Sequence, residues 1–147
     1  MLEARRRVSS GSGPSWIFAH IQLAGKGRRG RAWVDPIGNF ACTCVFFPDR
    51  TIDEYALSSF TAALSLCDCL SDFTESSAQV SIKWPNDILL NQKKVAGILL
   101  ETIAVGKNKI ALSIGFGVNL LSYPGVSELE ESAFSPTSIL TEIGVVI

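Results

Sequence analysis

The segment with the clearest chemical content is Gly25-Lys26-Gly27-Arg28-Arg29-Gly30-Arg31, with three glycines and four cations in seven residues. Glycine lets a backbone come close to a ligand and adopt positive φ values. Arginine presents a planar fork that matches phosphate or carboxylate. Such a loop suits an anionic ligand. A solvated arginine–glycine stretch with loose nucleic-acid affinity is the other chemistry open to the same composition. The letters also fit the G-x-G-x-x-G dinucleotide pattern, but that pattern needs a helix opening on it, and Asp35-Pro36-Ile37-Gly38 is poor helix. No Gly-Lys-Ser or Gly-Lys-Thr occurs, so a Walker phosphate loop is absent.

Three further segments stand out. Lys83-Trp84-Pro85-Asn86-Asp87 ends an apolar run with a proline that stops a strand and two short polar residues that favour a turn. Lys93-Lys94-Val95-Ala96-Gly97-Ile98-Leu99-Leu100-Glu101 places two lysines at what reads as a hairpin tip. Ile114-Gly115-Phe116-Gly117-Val118-Asn119 is a strand whose two glycines let something approach the backbone closely. No Ser-His-Asp or Cys-His set is present, and the single histidine, His20, falls in a strand-like stretch. Cys42/Cys44 and Cys67/Cys69 lack zinc-knuckle spacing and read as small hydrophobes in a reducing compartment. No metal-ligand set is assigned.

The elements that must position these segments follow from periodicity. Residues 2–7 read as the tail of a helix. Trp16 to Leu23 alternates, with Trp16, Phe18, His20 and Gln22 on one face and Ile17, Ala19, Ile21 and Leu23 on the other, so a strand is expected. Residues 24–38 form a long loop, and Phe40 to Phe47 a buried strand closed by Pro48. Thr51 or Asp53 caps a helix whose packing stripe is Ala56, Leu57, Phe60, Ala63, Leu64, Cys67 and Leu70. Short strands follow at Val80–Lys83, Ile88–Leu90, Val95–Ile103 and Ile110–Val118, with turns at 91–94 and 106–108. A last helix begins near Ser138. Sequential strands with tight turns and a helix across them give an α+β fold.

At 147 residues, 47% hydrophobic and 18% charged, the chain is sized for one domain with a real core and is no candidate for disorder. No apolar run nears the length of about 18 residues that a membrane helix needs, and no apolar run follows Arg5, Arg6 and Arg7, so neither a membrane span nor a signal peptide is expected and a cytoplasmic location is the default. The net charge of −1 conceals an asymmetry: residues 1–31 hold seven basic side chains against Glu3 alone, while the rest is acidic. A concentrated basic patch points to an anionic ligand.

Taken together, Gln22 to Trp33, Lys83 to Asp87, Lys94 to Glu101 and Gly115 to Asn119 resemble, in order and spacing, the motifs of the biotin protein ligases (biotin–acetyl-CoA-carboxylase ligases). The resemblance covers residues 16–121, with a weaker echo at Pro136-Thr137-Ser138. It implies a catalytic domain with a mixed, largely antiparallel sheet flanked by helices, akin to class II aminoacyl-tRNA synthetases. The implied activity joins biotin and ATP, with Mg2+, into biotinyl-5′-AMP, then passes the biotinyl group to a lysine of a biotin carboxyl carrier protein. Gln22, Lys26, Gly27, Arg28 and Lys83 would then contact biotin, with Lys83 and Arg28 catalytic. Arg28, Arg31, Trp33, Asn86 and Asn119 would serve the nucleotide. No nucleic-acid or membrane partner is expected for this domain. The loop disfavours a lipoate ligase or octanoyltransferase of the same superfamily, and a non-catalytic basic-loop binding module is the reading from another class.

Two departures accompany the resemblance. Lys26 stands where the family usually has arginine, which keeps the charge but loses the fork. The chain also has no Ser-Thr-Asn segment before the loop. Residues 1–147 are therefore expected to be a partial catalytic domain, lacking that segment with its strand and the small C-terminal domain.

Overall fold

The computed structural model describes residues 1–49, 51–106, 109–125 and 134–144. Six strands form one sheet in the order β1-β2-β6-β5-β4-β3, where β1 is Ser15–Ala19, β2 Phe40–Phe46, β3 Val80–Lys83, β4 Asp87–Leu90, β5 Lys93–Val105 and β6 Lys109–Val118. Every neighbouring pair is antiparallel, in keeping with the expected α+β fold and largely antiparallel sheet; the parallel contact among the described residues is a lone bridge between Lys94 and Pro136. The order follows from the connections. Helix α2 (Leu57–Thr74) carries the chain from β2 to the far edge at β3. Tight turns then fold β3, β4, β5 and β6 back as a meander, until β6 meets β2. The β4–β5 loop is Asn91-Gln92, both at positive φ, as a two-residue hairpin turn requires.

Alternation along the strands gives the sheet two different faces. One carries Ile98, Leu112 and Ile114, which form the main core with Ala63 and Leu70 of α2 and Ile139 of α3 (Ile139–Ile143). The other carries Thr43, Ser113, Gly115 and Gly117, and is only partly covered by α1 (Leu2–Ser9) through Ala4 and Val8. A core face packs; a face of glycines and hydroxyls leaves room.

Three expectations need correction. The first strand ends at Ala19, where its pairing with Ala41 ends. Gln22 is therefore released from the parity that grouped it with Trp16 and Phe18, both strongly exposed, and joins Ile17 and Ala19 at the open face. In α2 the packing stripe is rotated: Ala62, Ala63, Leu70 and Thr74 are buried, whereas Leu57 and Leu64 are more than half exposed. The helix holds more apolar residues than one stripe needs, and Phe60 instead stacks on the exposed ring of Trp84, 6.4 Å between centroids. A 3₁₀ turn, Ile52–Ala56, also precedes α2, with Glu54 reaching back to the Thr51 backbone N–H and hydroxyl, each at 2.9 Å. The C-terminal helix begins where expected, and Ser138 caps it, its Oγ accepting from Thr141 N–H. Of the turn at 106–108, residues 107 and 108 lie outside the described residues.

Candidate active site

A cavity of about 460 Å³ opens over the glycine-bearing face, within the range typical of small-molecule sites. Its roof is the cationic loop, whose bonds make it a narrow tongue. Gly27 N–H donates to Arg31 C=O (2.8 Å), Trp33 N–H donates to Gly25 C=O (3.0 Å), and Lys26 bridges Ala32. The tip is a 3₁₀ turn, Arg28–Gly30, reversed by Arg29 at φ 59° and Gly30 at φ 77°. Gly25 is obligatory, because a Cβ there would collide with the Trp33 carbonyl oxygen.

The sequence left open what approaches the glycine doublet of β6. Over Gly117 it is Trp33. A Cβ on Gly117 would lie 2.6 Å from the indole Cε2, and one on Gly97 of β5 would lie 3.0 Å from Cζ3. The indole thus rests on a bare backbone shelf, with Nε1 sealed from solvent and without a partner. Gly115 is covered by Met1, whose sulfur is 3.2 Å from Ser113 Oγ and 3.9 Å from Thr43 Oγ1.

The wall opposite the tongue comes from the Lys83–Asp87 segment. Asn86 is locked to β5 by two bonds, its Nδ2 donating to Ile98 C=O (2.8 Å) and Ile98 N–H donating to the Asn86 C=O (2.9 Å). Its Oδ1 accepts from Arg28 Nη1 at 3.1 Å, a latch between tongue and wall. Asn119 is buried at the end of β6, its Nδ2 donating to Thr137 C=O (2.9 Å), which ties the cavity floor to the Pro136-Thr137-Ser138 loop. Gln22 donates from Nε2 to Asp35 Oδ2 at 3.0 Å.

Eight of the nine sequence-predicted site residues line this one cavity: Gln22, Lys26, Gly27, Arg28, Arg31, Trp33, Asn86 and Asn119. Lys83 does not line it directly. Its ammonium is 3.7 Å from Asp87 Oδ2, on the cavity wall, and 4.6 Å from the Phe134 ring centroid. His20 is exposed and outside the cavity.

Two wall residues were missed as site residues. Lys94 places Nζ 2.7 Å from Asp87 Oδ1 and 5.7 Å from the Trp33 ring centroid. Asp87 therefore joins Lys83 and Lys94 and holds two cations at the rim. The signal was available, since both lie in motifs already singled out, but their spacing read equally well as turn and hairpin tip. Among the described residues no three His, Cys, Asp or Glu side chains gather, and Asp87 is committed to two lysines, so the protein builds no cage for a divalent cation there.

An all-antiparallel sheet roofed by a cationic tongue, with a small-molecule cavity between them, is an arrangement whose charge suits an anionic ligand. The chain belongs to the biotin/lipoate A/B protein ligase family, whose sequence pattern matches residues 1–119. It is 46% identical over 142 residues to the biotin–[acetyl-CoA-carboxylase] ligase of Paracoccus denitrificans, covering 97% of this chain and 59% of that protein. It is 31% identical over 130 residues to the bifunctional ligase/repressor BirA of Escherichia coli, covering 87% of this chain and 39% of that one. Among solved structures, the biotin protein ligase of Aquifex aeolicus in complex with biotin and ATP superposes with a TM-score of 0.74 at 26% identity, covering 98% of this chain and 58% of that one. The Leishmania major enzyme in complex with biotinyl-5-AMP gives 0.61 at 27%, covering 95% and 58%. The chain thus spans about three fifths of the length of the Paracoccus ligase. No helix among the described residues is long and apolar enough to cross a membrane.

Proposed function

We propose that this chain carries the adenylating site of a biotin protein ligase. The observation that supports this most is the convergence of four separated sequence motifs on one cavity, under a tongue whose cations make no ion pair with a carboxylate among the described residues. In the proposed reaction a biotin carboxylate oxygen attacks the α-phosphorus of ATP. A C–O–P bond forms, the bond to the β-phosphate oxygen breaks, and pyrophosphate leaves. The amine of a carrier-protein lysine then attacks the acyl carbon and AMP departs.

The first step brings two anions together, so the protein's task is to hold and screen them. Lys26 and Arg28 in the roof, and Lys83 at the rim, supply positive charge on two sides of the cavity, and Arg31 adds to it. Preorganised charges at a site shielded from water can be worth about 3–4 kcal/mol of barrier each. Gln22 and Gly27 serve biotin; Arg31, Trp33, Asn86 and Asn119 serve the nucleotide, which enters as its magnesium complex with the phosphates as the metal's ligands. The partner is a biotin carboxyl carrier protein.

The test supplies the full-length protein with biotin, Mg-ATP and carrier domain, and follows pyrophosphate release and carrier mass. Biotin-dependent pyrophosphate and a biotin-sized mass gain are expected. Pyrophosphate release with lipoate or octanoate but not with biotin would refute the reading.

A further inference from the structure

Asp35 was assigned no role by the motifs, yet its environment is unusual. It stands two residues beyond Trp33, which rests on the glycine shelf, and just before Pro36, so its backbone is held on both sides. Its Oδ1 is sealed from solvent without a hydrogen-bond partner, and its Oδ2 accepts from Gln22. Burial pushes the Asp35 carboxyl above its ordinary pKa, against the pull of the Gln22 amide. Burying a half-satisfied carboxylate is costly. The return on that cost is one fixed amide. Gln22 lines the cavity and Asp35 does not, so Asp35 acts from behind.

We propose that Asp35 is a positioning residue, which sets the polarity of the Gln22 amide so that the cavity is offered a hydrogen-bond acceptor. An ionised carboxylate can only accept. The nitrogen end of the Gln22 amide is therefore committed to Asp35, and Oε1 is left for the ligand. An N–H donor of the ligand's head group matches it; a carbonyl does not. This rests on the reading of biotin as substrate, whose ureido ring carries N–H donors. A neutral asparagine at position 35 would be cheaper to bury, but either end of its amide could face Gln22, and the polarity would be lost.

The experiment titrates biotin calorimetrically into the full-length protein and measures the KM for ATP alongside. Asp35→Asn conserves size and shape and should weaken biotin about tenfold, the worth of one correctly oriented hydrogen bond, with the ATP KM unmoved. Gln22→Glu should weaken it further, because two carboxylates then face each other. In Gln22→Glu/Asp35→Asn the asparagine donates to the new carboxylate, whose second oxygen again accepts from the ligand. Biotin affinity should return to within about threefold of wild type, because the acceptor is restored. A purely structural aspartate would not give that rescue, and the comparison of Gln22→Glu with the double variant stands whatever Asp35→Asn does to stability. Wild-type binding of biotin with Asp35→Asn equally tight, or a double variant no tighter than Gln22→Glu, overturns the positioning role alone. A wild-type protein that does not bind biotin overturns the substrate reading and this inference with it.

Discussion

Replacing Gly117 with alanine tests the shelf on which Trp33 rests. Gly117 is paired in the sheet with Ala41 on one side and Gly97 on the other, so its backbone cannot retreat. The new methyl would meet indole Cε2 at 2.6 Å and Cζ2 and Nε1 at 2.7 Å. Comfortable contact between carbons is about 3.5–4.0 Å, so the ring must lift by roughly 1 Å. Overpacking of this kind costs about 1–3 kcal/mol. In an unstrained site, Gly→Ala gains about 0.4–1 kcal/mol by restricting the unfolded chain. The sign of the change therefore decides between the two. Destabilisation is expected, at about 2–4 °C of Tm per kcal/mol for a chain of this size, measured by thermal denaturation. A rise in the KM for ATP should accompany it, because Trp33 N–H also closes the tongue onto Gly25. Gly115→Ala is the control: its methyl meets the flexible end of Met1 at 3.4 Å and the Leu99 carbonyl oxygen at an ordinary 3.7 Å, and should cost less. In a Trp33→Leu background the penalty of Gly117→Ala should shrink by about 1 kcal/mol or more, as expected for residues in direct contact. Equal penalties in both backgrounds would refute the shelf.

Lys83→Ala should cut pyrophosphate release by about 10²–10³-fold while leaving Tm near wild type, and Lys83→Arg should restore only part, since a fork does not reproduce a compact charge; release at the wild-type rate would remove this lysine from the mechanism. Arg28→Gly breaks the latch to Asn86. It is expected to release biotinyl-5′-AMP early and label bystander lysines, seen by mass spectrometry, with adenylate synthesis less affected. Trypsin cleavage after Arg28 and Arg29 should slow when biotin and ATP are present, because the tongue gains anions to close on; unchanged cleavage contradicts a ligand-ordered lid. Glu142 accepts from Thr137, Asn91 and Lys93, and these bonds hold its carboxyl down to about 2. A depressed folded-state pKa contributes stability above the unfolded value, lost as pH falls from about 4.5 towards 2. The Tm gap between wild type and Glu142→Gln should therefore close across that window, and a constant gap would show that the carboxylate is not the source.

Local chemistry was legible where it acts within a few residues. Strand β3 ends where Pro85 requires, the Asn91-Gln92 turn makes a tight hairpin, and Ser138 caps the helix its position announces. What depends on the third dimension was not. Gln22 reaches the cavity because the strand stops pairing at Ala19, and nothing in the alternation of Trp16 to Leu23 marks that point. The phase of α2 is set by the sheet it lies on, and an abundance of leucine and phenylalanine hides the stripe. Asp35 before a proline looks like any loop residue, and the glutamine it holds lies thirteen positions away. Lys83 and Lys94 meet at Asp87 because β3 pairs with β4, with Lys83 opposite Asp87, and β4 pairs with β5, with Asp87 opposite Gly97.

The charge asymmetry resolves into two groups with different work. Arg5 pairs with Glu101 at 3.3 Å, and Arg6 and Arg7 clasp Glu3 at 2.6 and 2.9 Å, so the N-terminal triplet is spent on carboxylates and ties α1 to itself and to β5. Lys26, Arg28, Arg29 and Arg31 have no such partner among the described residues. Among the described residues their side-chain hydrogen bonds go to neutral oxygens, Asn86 Oδ1 and the Arg28 carbonyl. A cation held by a neutral acceptor keeps its full charge available, whereas one that clasps a carboxylate of its own does not; Asp87, shared by Lys83 and Lys94, still leaves net positive charge at the rim. The tongue is thus oriented without being neutralised, which is what a site needs if it is to draw a carboxylate and a phosphate to the same place. The Asn86 latch follows the same logic. Asn86→Asp would keep the acceptor that faces Arg28 but would neutralise Arg28, and would lose the Nδ2 donation to Ile98 C=O. It should therefore raise the KM for both anionic substrates, measured by steady-state pyrophosphate release. An unchanged KM for ATP and biotin in Asn86→Asp would show that the free charge of Arg28 is not what the ligands meet.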